Sequence, residues 1–113
     1  MYPKVLILHM PPHWLPETKI LVLEMNADGE DFLALMPVGE LRRRFKTDPN
    51  LSGSAAVLVF ETFRQDIEAD IRALLERHGR PPGGRVPGPR VLNLAAPSAP
   101  WCLPTAAIAT DAR

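Results

Sequence analysis

His9 and His13 stand four apart, a spacing that binds zinc when a helix places both imidazoles on one side. Pro11 and Pro12 lie between them, so no helix sets that geometry, and no acid or thiol completes the motif. Two surface histidines beside Trp14 are the expectation, and no metal is assigned. Asp66, Glu68 and Asp70 gather three carboxylates within a short span; Asp66 and Asp70 share a helix face and have the form of an acid–base or metal pair. Arg64 and Arg72 flank them, so a solvated, charge-balanced face is the simpler reading. The single cysteine, Cys102, follows Trp101 and has no histidine placed with it by any motif. There is no phosphate-cradling glycine motif, nucleophile elbow or HExxH. No catalytic residue and no cofactor is expected from these patterns.

Arginine is the other source of chemistry. Arg42, Arg43 and Arg44 run consecutively, Lys46 follows, and Arg77, Arg80, Arg85 and Arg90 recur in a stretch from 77 to 90 that holds no acid. Such groups could neutralise backbone phosphates of a nucleic acid. Adjacent helical residues point about 100° apart, so the triplet is not one patch by itself. The net charge of zero hides a division: residues 1–40 carry a balance of −4 and residues 41–113 a balance of +4.

The elements that must hold these groups are legible in part. With 113 residues, 46% hydrophobic and 23% charged, the chain fits one small domain. No apolar run approaches the roughly 18 residues of a membrane helix, and a single cysteine asks for no oxidising compartment, so a cytoplasmic protein is expected. Pro and Gly crowd residues 79–104, which hold 11 of the chain's 20. A compact α+β core over 1–78 and a Pro/Gly/Arg-rich tail over 79–113, with a short strand at 90–94, follow from that asymmetry. The tail's Arg80-Pro81-Pro82 and Pro87-Gly88-Pro89-Arg90 favour polyproline conformation, as a spacer or as a peptide for a partner groove.

Within the core, Val5–Leu8 reads as an edge strand or extended lead-in before its prolines. Lys19–Met25 and Asp31–Met36 flank Asp28-Gly29, the strongest local hairpin signal. Pro37 opens a short helix with Leu41 and Phe45 on its buried face, ending at Asp48-Pro49-Asn50. A longer helix closes at Gly79 and buries Phe60, Phe63, Ile67, Ile71 and Leu74. Ser54 caps it in the favoured reading of about 24 residues. A box of Thr62 and Gln65 is the alternative, with 56–60 left as a strand. The expected fold is a small antiparallel, hairpin-based sheet with two helices on one face, the long one lying on Ile20, Val22, Phe32 and Ala34 or on the opposite sheet face.

Phe32-Leu33-Ala34-Leu35-Met36 leads into Glu40-Leu41-Arg42-Arg43-Arg44-Phe45, and Phe60-Glu61-Thr62-Phe63-Arg64-Gln65-Asp66-Ile67-Glu68 follows. Over residues 14–94 this order of hairpin, short helix, long helix and last strand resembles a family of small bacterial domains of unknown function. The resemblance implies a compact α+β domain and no catalytic residues. Where that family has a serine-type cap, this chain has Met36-Pro37. The function expected is a non-enzymatic accessory or interaction domain of a bacterium or phage, acting through protein contacts and able to pair as a homodimer. A core this small leaves much of its surface unburied and gains from dimerisation. Nucleic-acid binding through the arginines is the alternative, and a small metal-dependent enzyme using His9, His13 or the helix carboxylates is the second alternative.

Overall fold

Asp28 and Gly29 both adopt positive φ (51° and 90°), the geometry of a two-residue turn that matches strand twist. They join β2 (Ile20–Ala27) to β3 (Glu30–Pro37). The computed structural model describes residues 3–47, 51–80, 90–96 and 98–102. Around the hairpin it builds an α+β fold: a five-stranded mixed sheet with three helices on one face.

β1 (Leu6–Leu15) lies antiparallel to β2 and forms one edge of the sheet. Pro11 and Pro12 do not end it. They sit where the register slips between His9 and His13, a bulge that absorbs residues with no N–H to donate. On the other side of the hairpin, β4 (Arg90–Asn93) pairs parallel with β3, and β5 (Trp101–Cys102) closes the second edge. A strand thus forms over Arg90–Asn93, one residue short of the 90–94 expected. Leu92 and Leu94 are fully buried in the main core, so this core draws on the stretch that composition assigns to the tail. Each such leucine contributes about 2 kcal/mol, which offsets much of the ordering cost of its short segment.

Three helices replace the two expected. α1 (Val38–Phe45) follows β3 directly. Pro37 stands at its N-cap rather than inside its first turn, and Lys46 ends it in the left-handed region (φ 52°), donating its N–H to the Arg42 carbonyl at 2.9 Å. The expected stop at Asp48-Pro49-Asn50 lies outside the described residues. The long helix divides into α2 (Gly53–Thr62) and α3 (Arg64–His78). Its cap is Ser52, whose hydroxyl accepts from the Ala55 N–H at 3.2 Å, two residues before the serine expected. Residues 56–60 are helical.

The division at Phe63 has a local cause. The Thr62 hydroxyl donates to the Leu58 carbonyl at 2.9 Å, a back-bond that bends helices, and the Phe63 ring stacks on Phe45 (centroids 4.2 Å apart). The stripe of Phe60, Ile67, Ile71 and Leu74 is buried as its spacing requires, with Leu75 added and Phe63 half-buried at the bend.

The sheet face under the helices corrects one expectation. A two-residue turn pairs even positions of β2 with odd positions of β3, so Met25 lies opposite Phe32 and Leu23 opposite Ala34. Leu21, Leu23, Met25, Phe32, Ala34 and Met36 therefore meet the helices. Ile20 and Val22 do not share a face with Phe32 and Ala34. They sit on the far face with Leu35 and Val91.

Candidate interaction surface

Backbone pairing decides what β1 presents. Asp28 donates its N–H to the Val5 carbonyl at 2.9 Å, and in an antiparallel ladder such bonded pairs recur at every second residue. Ile7 and His9 therefore exchange hydrogen bonds with Asn26 and Glu24, and the N–H and C=O groups of Leu6 and Leu8 turn outward from the sheet. Among the described residues no strand pairs with that outer side. Leu8 is buried under the helices, whereas Val5 and Ile7 are exposed by 55% and 46% on the other face. No charged side chain occurs from Val5 to Pro16, between Lys4 and Glu17. Natural edge strands usually carry a charge that discourages pairing, and this one has only its proline bulge.

The N-terminal end of β1 is anchored. The Asp28 carboxylate accepts from the Lys4 N–H at 2.9 Å and from the Val5 N–H at 2.7 Å. Those backbone donors hold the carboxyl below its ordinary range. Arg72 on α3 reaches the Pro3 carbonyl at 2.7 Å. At the other end, α2 comes so close that a Cβ at Gly53 would lie 2.6 Å from Trp14 Cδ1, which requires glycine there. The strand is thus fixed at both ends, and its open middle is a stretch of regular ladder.

The two histidines lie on the helix-free face of the same strand. His13 Nε2 stands 3.6 Å from Glu24 Oε1, in a well-exposed pair. His9 is opposite Glu24 in the register and lines a hollow of about 300 Å³ with Glu24, Asp31 and Leu33. Asp31 is already engaged by the Asn26 amide at 2.8 Å. Among the described residues, no three His, Cys, Asp or Glu side chains are placed to hold one metal ion.

The arginines are divided by the fold. Arg43, Arg44 and Arg77 are brought to a groove of about 400 Å³ between α1 and α3, with Asp70 and Ala73 on its wall. Glu40 holds two of them: it accepts from Arg43 Nε at 3.3 Å and Arg44 Nε at 2.8 Å. Burial pushes the Glu40 carboxyl up, but hydrogen bonds from Arg43 and Arg44 outweigh it and keep the group below its ordinary value. Arg44 also pairs with Asp70 and lies 3.4 Å from the Leu94 carbonyl, tying α1 to α3 and to the end of β4. Of the helix carboxylates, Asp70 is thus a structural partner and Glu68 pairs with Arg64 at 2.9 Å, while Asp66 is exposed in the first turn of α3.

Arg80 leaves α3 to pair with Glu30 at the head of β3. Arg90 opens β4, away from the groove, and has a partner of its own. Arg42 and Lys46 are exposed on α1, and Arg85 lies outside the described residues. Of the seven basic residues described, three meet at the groove, and two of those are held by acids.

Sequence reading missed Leu6, Ile7 and Leu8 as a surface because it weighed side chains that do chemistry. The signal was present as an uncharged run of twelve residues at a strand already assigned to an edge. It also missed Glu40 as the clamp, although Glu40, Arg43 and Arg44 stand at the i, i+3 and i, i+4 spacings that pair on a helix. No helix among the described residues is long and apolar enough to cross a membrane. Comparison with protein-family models, curated proteins and solved structures returned no match, so fold and surface here stand on the chain's own geometry.

Proposed function

We propose that this chain is a small cytoplasmic accessory domain of bacterial or phage type, which acts by binding protein through the open edge of its sheet. The observation that carries the reading is β1: a strand fixed at both ends, uncharged, with the backbone groups of Leu6 and Leu8 directed outward. A strand edge of this kind recognises another extended strand through main-chain hydrogen bonds, with alternate side chains adding selectivity. Ile7 supplies the exposed side chain for that selection.

The test is affinity capture on the immobilised chain beside Ile7→Lys, with circular dichroism confirming that both are folded. Protein recovered by the wild-type chain and lost with the lysine is the expected result. Equal recovery by both would contradict a role for the edge.

A second reading rests on the groove between α1 and α3, which Arg77 and the well-exposed Arg43 both line. A phosphate-bearing polymer is the ligand that suits two such guanidinium groups. It requires affinity for oligonucleotides that falls by orders of magnitude between about 50 and 200 mM salt and is lost in Arg77→Glu. Salt-insensitive or absent binding would dismiss it.

A further inference from the structure

We infer that the partner of the β1 edge is a second copy of this chain, paired antiparallel through Leu6–Leu8 about a two-fold axis at Ile7. This rests on the edge-binding reading above and specifies its occupant.

In a two-fold contact the residue on the axis meets its own copy, so a charge there would face a like charge. The run from Val5 to Pro16 has none, which is the condition that an isologous strand pair needs. The register follows from which groups are free. Leu6 and Leu8 are the residues whose N–H and C=O point outward. Placing Leu6 opposite Leu8 of the second copy lets every one of those groups bond. Ile7 then lies opposite Ile7 of the second copy as a non-hydrogen-bonded pair, the closer kind, with Cα atoms about 4.5 Å apart. On the same face Val5, itself exposed, stands opposite His9 of the second copy, which extends an uncharged contact on each side of the axis. Lys4 falls opposite Met10 and meets no other cation. The bulge at Pro11-Pro12 ends the pairing beyond that point, so the contact is short and self-limiting. The two sheets join into one, and the exposed edge of each copy is consumed.

The close pair at the axis gives the decisive experiment. Cα atoms about 4.5 Å apart lie within disulfide range, so Ile7→Cys in a Cys102→Ser background should cross-link to a covalent dimer under mild oxidation. Leu58→Cys in the same background, 64% exposed on α2 and away from the edge, should stay largely monomeric. Light scattering on the unmodified chain should show the mass rising toward twice that of a single chain with concentration, and Ile7→Lys should hold it at one chain. Cross-linking no faster at position 7 than at position 58 would overturn the proposal, as would a single-chain mass at every concentration. Should the chain stay monomeric yet lose capture of another protein with Ile7→Lys, the second copy is refuted while the edge remains a binding surface. If Ile7→Lys alters neither mass nor capture, both readings fail.

Discussion

The arginine-rich helices and the first strand dispose of their polar groups in opposite ways. On α1 two of the three arginines are engaged by acids of the fold. Arg43 and Arg44 converge on the buried Glu40, and Arg44 goes on to Asp70 and the Leu94 carbonyl, so Arg44 braces α1 against α3 and the end of β4. On β1 the side chains are unremarkable, and among the described residues it is the backbone of Leu6 and Leu8 that has no strand beside it. Charge that has found a partner inside the fold is costly to unpair, whereas an unpaired ladder edge is an invitation to another chain. The surface most able to bind is therefore in the least charged part of the molecule.

The largest expected effect falls on this brace. Glu40→Gln removes the acid shared by Arg43 and Arg44, and Arg44 is only 16% exposed, so the loss should be about 2 kcal/mol in urea unfolding. A change within experimental error would mean that the arginines are solvated and available after all. Gly53→Ala comes next: its Cβ meets the rigid Trp14 ring, and moving that ring should cost about 1–2 kcal/mol. That variant should also loosen β1 and raise amide exchange near Trp14. A neutral result would show that α2 does not hold the strand.

Acid should separate the anchors of the two regions. Asp28 and Glu40 both titrate below their ordinary values in the folded chain. Their contribution is therefore complete above the ordinary carboxylate range, about 4, and is lost as pH falls through the lowered folded values. The urea midpoint should drop on acidification, and Asp28→Asn and Glu40→Gln should each flatten that drop. A midpoint that rose toward low pH would have the wrong sign. The smallest effect is assigned to Arg42→Gln. Its side chain is exposed on α1, and the variant should stay within about 0.5 kcal/mol of the parent.

How much of this was legible depended on sequence distance. The Asp28-Gly29 turn, the Gly79 stop and the stripe from Phe60 to Leu74 are written in neighbouring residues, and the fold keeps each of them. The face of the hairpin was not read correctly because it turns on parity: one position of register moves Ile20 and Val22 from the helix side to the far side. The bend at Phe63 needed the stacking partner Phe45, which helical periodicity does not register. The parallel pairing of β4 with β3 joins Phe32 to Arg90 across about half of the chain, and nothing local announces it. The partners of Arg44 and Arg80 are hidden for the same reason, since Asp70 and Glu30 lie far from them in sequence. Of the candidate surface, the edge strand is visible in the sequence and its free backbone groups are not, because their direction depends on the register with β2.

The most direct measurement of the central claim is residue-resolved amide hydrogen exchange along β1 at low and high protein concentration. In dilute solution Leu6 and Leu8 should exchange fast while Ile7 and His9, bonded to β2, stay protected. At high concentration Leu6 and Leu8 should become protected as well. Slow exchange at Leu6 and Leu8 in dilute solution would contradict an open edge, and fast exchange at both concentrations would contradict its pairing with a second copy.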